Sequence, residues 1–183
     1  MRAGTSLAPS CRVKSILTLG VVVALAGPAR AESLWEAELK VGYGLALGAE
    51  TGMDTNASKR PSPLTLTATG SMEISDEPII STYGGFAVET IARNTFGFVG
   101  GLRVAVPGTA VRIAAGAVWV YAPATRWGAT TSVGTCHMRK AVGFCGDLQL
   151  TAYIAGSAIE SGHSVTQIQA VLGMVFDLAG GAK

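Results

Sequence analysis

Residues 34–49 read LWEAELKVGYGLALGA. Trp35, Ala37, Leu39, Val41, Tyr43, Leu45 and Leu47 fall on alternate positions, and Glu36, Glu38, Lys40, Gly42 and Gly44 stand between them. Successive side chains of an extended chain point to opposite sides, so this stretch is a strand with one apolar face and one face of charge and glycine. The pattern returns at Leu64, Leu66, Ala68, Gly70, Met72 and Ile74, which alternate with Thr65, Thr67, Thr69, Ser71 and Glu73. It returns again over Thr95–Val106, where Phe96, Phe98, Leu102 and Val104 oppose Gly97, Gly101 and Arg103, and over Ala110–Tyr121, where Ile113, Trp119 and Tyr121 oppose Arg112, Ala114 and Gly116. Leu148, Leu150 and Ile154 alternate with Gln149, Thr151 and Tyr153, and the last strand sets Ile168, Leu172, Met174 and Phe176 against Gln167, Gln169, Gly173 and Asp177.

With Ile79–Ala92, which carries Glu89 and is interrupted by Gly84-Gly85 where a bulge or bend is expected, the pattern gives seven strands. Asp76-Glu77-Pro78, Arg93-Asn94 and Pro107-Gly108 supply turns, and the polar stretch 51–63 is a long loop. An even strand count requires an eighth strand within residues 122–147. Two placements compete. One runs a strand from Trp127 to Thr135 and leaves Cys136–Cys145 as a loop. The other runs it from Thr135 to Cys145 with Gly146-Asp147 as a two-residue turn, and is preferred because it keeps that turn short.

The N-terminus has Arg2, Arg12 and Lys14, an apolar run from Ile16 to Ala26 and then Ala29-Arg30-Ala31, the layout of a secretory signal cleaved before Glu32. The apolar run is about half the roughly 20 residues of a spanning helix. Cys11 precedes it and no cysteine stands at the cleavage site, which argues against a lipoprotein anchor. Residues 1–31 are thus read as signal and 32–183 as one domain, 152 residues after 31 are taken from 183. Removing Arg2, Arg12, Lys14 and Arg30 from 14 basic residues leaves 10 against 12 acidic ones, a mature net charge near −2 that argues against nucleic-acid binding. Only 14% of the chain is charged, where a soluble domain carries about 25%.

Alternation alone fits a soluble barrel with an apolar core or a membrane barrel with an apolar skin. The second face decides. It carries Glu36, Glu38, Lys40, Glu73, Glu89, Arg103 and Arg112, mixed in sign and interleaved with small residues, as the filled interior of an eight-stranded barrel requires. The apolar face places Trp35, Trp119 and Tyr121 near strand ends, where an interfacial girdle sits. The expected fold is therefore an all-β, up-and-down antiparallel transmembrane β-barrel of eight strands.

Residues 34–178 resemble, in pattern and size, the small eight-stranded outer-membrane barrels of Gram-negative bacteria, the group that includes the OmpA transmembrane domain and OmpX. The resemblance implies outer-membrane location, contact with outer-membrane lipids and lipopolysaccharide, and insertion by the barrel-assembly machinery. Such barrels often end on an aromatic residue, whereas Phe176 here is followed by seven more residues.

Cys136 and Cys145 are a candidate disulfide, given an exported chain. The bond requires the intervening segment to fold back, since an extended strand over 135–145 would hold the sulfurs about 30 Å apart. His137 beside these cysteines is a weak zinc ligand, better read as a polar residue near a loop. Ser161 and His163 share one side of an extended strand, but in Ser-x-His order, where outer-membrane lipid A deacylases carry His-x-Ser. No catalytic, cofactor or metal site is assigned. Gly42-Tyr43-Gly44 is not a dinucleotide loop because no helix follows, and its glycines are expected to relieve crowding inside the barrel. Lys59-Arg60 can meet lipopolysaccharide phosphates or form a solvated tip. The leading reading is a structural or surface-interaction role, with loops 51–63, 122–134 and 157–164 outside the cell and no identified surface partner. The alternatives are a narrow pore, a lipid-modifying enzyme, and a secreted soluble barrel holding a hydrophobic ligand.

Overall fold

The computed structural model describes residues 35–48, 59–76, 78–90, 94–159 and 163–178; the signal and cleavage site lie outside them. Its elements are strands: β1 (Trp35–Leu47), β2 (Lys59–Pro61), β3 (Leu64–Asp76), β4 (Ile79–Thr90), β5 (Thr95–Ala105), β6 (Val111–Ala122), β7 (Arg126–Arg139), β8 (Val142–Ala155) and β9 (Val165–Asp177). Each long strand pairs antiparallel with its sequence neighbour, and β1 also pairs with β9, so eight staves close into an up-and-down barrel. The three-residue β2 prolongs the β3 stave beyond a break at Ser62-Pro63, pairing with β1 from Leu45 to Leu47. Among the described residues every long strand has a partner on both sides, and only the short β2 has one.

The alternation read in the sequence becomes inside and outside. Leu39, Phe98, Trp119, Leu150 and Leu172 are exposed on the outer surface, Leu172 at 67%, while Glu38, Glu89, Arg103 and Arg126 are buried within. Phe86, Phe98, Trp119 and Trp127 lie in register across β4–β7, with the first two ring centroids 5.3 Å apart. The neighbouring outward row is made of small residues, Gly70, Gly84, Gly100, Ala117, Ala129 and Ala152, again in register.

Chain reversals at one end are tight. Val106 to Thr109 closes through Thr109 N donating to the Val106 carbonyl at 3.1 Å, with Pro107 leading and Gly108 at φ 74°, a left-handed value that suits the third turn position. Arg139 pairs with Val142, so Lys140-Ala141 is a two-residue turn, and Asp76 pairs with Ile79. This end also holds both strand termini, Trp35 and Asp177, and is called the termini end below. The opposite, loop end carries the links from β1 to β2, β4 to β5, β6 to β7 and β8 to β9.

Four expectations need correction. The expected loop 51–63 holds a strand, β2, at Lys59–Pro61. The eighth strand is not Thr135–Cys145, and 122–134 is not a loop. β7 runs from Arg126 to Arg139 and β8 starts at Val142, with Cys136 opposite Cys145 in the ladder. Gly146-Asp147 is mid-strand, and only 123–125 connects β6 to β7. Nor does Gly84-Gly85 form a bulge: pairing to β3 and β5 runs through it without slip, whereas the register shifts at Glu73/Ser75, Phe96/Gly97 and Trp127/Gly128.

The inward glycines answer to backbone approach more than to side-chain crowding. A Cβ on Gly44 would overlap the Ile168 carbonyl oxygen, and one on Gly85 the Ala68 carbonyl oxygen, because strands curving round a narrow lumen converge on their inner side. Gly70, on the outer face, has no atom closer than 3.9 Å to such a Cβ. Gly44→Ala should therefore lower stability by roughly 1–3 kcal/mol, as overpacking does, while Gly70→Ala stays within about 0.5 kcal/mol. Urea titration of the two variants by circular dichroism checks this, and equal effects would contradict it.

Candidate functional site

The lumen holds two clusters of polar side chains, one toward each end. At the termini end Glu38 accepts from Arg103 Nη2 at 2.7 Å and forms ion pairs with Lys40 Nζ at 2.9 Å and Arg112 Nη2 at 3.0 Å. Lys40 also reaches Asp147 Oδ2 at 2.8 Å, and Glu36 Oε2 lies 3.6 Å from one guanidinium nitrogen each of Arg103 and Arg112. Glu36, Glu38 and Asp147 therefore face Lys40, Arg103 and Arg112, three charges of each sign drawn from β1, β5, β6 and β8. The Arg103 guanidinium lies over the Tyr83 ring of β4, 5.5 Å from its centroid.

At the loop end Glu89 of β4 pairs with Arg126 of β7 and accepts from Thr95 Oγ1 at 3.0 Å, Gln167 Nε2 at 3.2 Å and Tyr153 Oη at 3.4 Å. One carboxylate thus joins β4, β5, β7, β8 and β9. Arg126 has no solvent exposure, and its guanidinium stacks 4.5 Å from the Tyr153 ring centroid. Val118, Val120, Ile159 and Val165 pack with Tyr153 as an apolar cap, into which the 156–159 connection folds through Ala158 N donating to the Thr125 carbonyl at 3.3 Å.

Between the clusters lies a small cavity of ≈ 60 Å³ lined by Thr67, Thr69, Thr130, Ser132, Gln149 and Thr151 among others. Gln169 Nε2 lies 3.1 Å from Ser62 Oγ, 3.1 Å from the Pro63 carbonyl and 3.0 Å from Thr65 Oγ1, which ties the break between β2 and β3 to β9. A lumen so filled offers hydroxyls, amides and neutralised charges, and room for a few waters.

Of the residues singled out in the sequence, Glu36, Glu38, Lys40, Arg103 and Arg112 meet in the first cluster, and Glu89 stands apart in the second. Glu73 is half-buried near the β3–β4 turn, beside the bulge. Cys136 and Cys145 are disulfide-bonded as a cross-strand pair facing inward. His137 lies on the outer, exposed side of β7, so it cannot join the cysteines at a metal. His163 is exposed, and Ser161 lies outside the described residues. No group of three metal-ligating side chains occurs among the described residues. Sequence reading missed Arg126 and Asp147. Both share parity with inward neighbours, Arg126 with Gly128 and Thr130, Asp147 with Gln149 and Thr151.

No family model and no curated protein matches the chain. Among solved structures it is similar to Neisserial surface protein A (NspA), with a TM-score of 0.50 over 80% of this chain and 98% of that one, at 8% identity. At that identity the likeness is one of fold: a small closed antiparallel barrel.

Removing the carboxylate from the loop-end cluster takes away the ion-pair partner of a fully buried guanidinium. Glu89→Ala should cost about 3–5 kcal/mol, against about 1 kcal/mol for Thr95→Ala, which removes a single hydrogen bond. Equilibrium unfolding in urea compares them, and a Glu89→Ala cost no larger than that of Thr95→Ala would contradict the assignment.

Proposed function

We propose that this chain is an outer-membrane β-barrel protein of a Gram-negative envelope, with a structural or surface-interaction role. One observation carries the reading: burial is inverted, with large apolar side chains outside and acidic and basic ones inside. Strands of 11–14 residues suit it. Thirteen residues at about 3.4 Å each, tilted by about 40°, span roughly 34 Å, enough for an apolar band about 25 Å tall with interfacial margins. Both strand termini at one end fit a periplasmic side, and the two longest links, β1 to β2 and β8 to β9, fit the cell surface at the other. Outer-membrane lipids would cover the apolar skin, lipopolysaccharide would meet the loop end, and the barrel-assembly machinery would insert the chain after signal cleavage. The likeness to a barrel titled a surface protein points the same way.

The alternatives have less support. The filled, charge-balanced lumen argues against a narrow pore, and its cavity of ≈ 60 Å³ has room for a few waters but not for a hydrophobic ligand, which weighs against a soluble carrier. Lipid hydrolysis would need Ser161 beside His163, and of the two only the exposed His163 lies among the described residues.

Envelope fractionation followed by electrophoresis with and without boiling tests the reading. Recovery in the outer membrane with a heat-dependent shift in mobility is expected; recovery as a soluble protein would overturn it. Leu172 lies near the middle of β9, so Leu172→Arg should destabilise the barrel in bilayers by about 2–4 kcal/mol. A surface substitution on a water-facing sheet would change stability by no more than about 0.5 kcal/mol.

A further inference from the structure

The Cys136–Cys145 bond is poorly placed for a mechanical staple. It joins residues nine apart that the β7–β8 ladder already holds opposite one another, and ties no distant parts of the barrel together. Its chemical surroundings are more distinctive. Arg112 Nη2 donates to Cys145 Sγ at 3.0 Å and also contacts Cys136 Sγ. The same guanidinium is held by Glu38 Oε1 at 3.0 Å and Glu36 Oε2 at 3.6 Å, so its position is fixed from β1. A cation beside a disulfide polarises the S–S bond and favours departure of a thiolate.

The two sulfurs are not equivalent. Cys145 is buried, at 5% exposure, whereas Cys136 is partly exposed. Toward the termini end the next inward pair on these strands is Met138 and Gly143, where glycine presents no side chain and the Met138 thioether occupies the space its Cβ would need. An unbranched, flexible methionine is a yielding cover. The charged groups of this cluster are Glu36, Glu38 and Lys40 of β1, Arg103 of β5, Arg112 of β6 and Asp147 of β8. They balance in sign, and Arg112 is the one that contacts sulfur.

We propose that Cys136–Cys145 is a thiol–disulfide exchange site of fixed polarity, whose co-reactant is a dithiol reductant entering from the termini end. One thiolate of the dithiol attacks Cys136 Sγ. The S–S bond breaks, and Cys145 Sγ takes the electron pair and leaves as a thiolate against Arg112. The second thiol of the reductant then attacks its own sulfur in the mixed disulfide, closing the reductant's disulfide and expelling Cys136. Two electrons pass from dithiol to cystine, and the two thiol protons end on Cys136 and Cys145. Reduction places two thiols beside a cation shared with Glu36 and Glu38, so the state of one bond reaches the cluster that links four strands. The proposal holds wherever the barrel resides.

The test uses the full chain folded in detergent micelles, treated with dithiothreitol at neutral pH, quenched by alkylation and read by mass spectrometry. The folded protein should be reduced at least as fast as the same chain unfolded in urea, because the fold brings Arg112 to the sulfurs. Arg112→Gln should slow reduction of the folded protein about tenfold, and Arg139→Gln, which removes an exposed cation at the end of β7 that belongs to neither cluster, should change it by less than about twofold. With glutathione, the mixed disulfide should map to Cys136. Slower reduction of the folded than of the unfolded wild type, an adduct on Cys145, or equal effects of the two arginine variants would overturn the proposal. The wild-type comparison and adduct mapping decide it even where Arg112→Gln does not fold.

Discussion

Glu38 and Glu89 are carboxylates sealed inside a narrow lumen, and each is met by several donors from strands that are not its hydrogen-bonded neighbours. Ladder pairing holds adjacent staves; these contacts reach across the barrel. Glu38 draws Arg103 and Arg112 from β5 and β6 toward β1, and Glu89 draws side chains from four strands toward β4. An isolated buried charge costs several kcal/mol, so each cluster holds together only when its contributing strands stand at their proper places round the circumference. Interior electrostatics therefore select a particular closed barrel from the many registers that hairpins alone would allow.

The outside obeys a different constraint. Leucine, phenylalanine and tryptophan exposed at half their area or more would be unfavourable against water, yet they run in register round much of the surface. The aromatic row over β4–β7 beside a row of glycine and alanine gives that flank a ridge and a flat band. On the inner side, curvature is tight enough that a methyl group at Gly44 or Gly85 would meet a neighbouring strand's carbonyl. Size, curvature and glycine placement are thus linked: a barrel this narrow needs glycine where inner backbones converge.

Much of this was legible in the sequence because a period of two is unambiguous over ten or more residues. Trp35 to Leu47 and Val111 to Tyr121 keep the faces that alternation assigns them. The region 122–147 resisted because its local signals conflict. Gly146-Asp147 looks like a turn but continues a strand, while the true turn, Lys140-Ala141, has neither glycine nor proline and is made by a lysine at φ 60°. In sequence the two cysteines fit loop ends or points on one strand, and a hairpin placing them opposite one another satisfies both strand propensity and the bond. Parity could name inward charges but not their partners. That Arg103 and Arg112 converge on Glu38 while Glu89 meets Arg126 depends on strand stagger round the barrel, which a single chain's periodicity does not encode.

The central claim is that the apolar skin of this barrel faces hydrocarbon. The chain's three tryptophans, Trp35, Trp119 and Trp127, all lie on that skin at 55%, 54% and 51% exposure. Fluorescence quenching by lipids brominated along the acyl chains, with the protein refolded into bilayers, reads their surroundings directly. Strong quenching by the brominated chains and weak quenching by aqueous iodide is the result this account predicts. Strong iodide quenching with little effect of the brominated chains would contradict it.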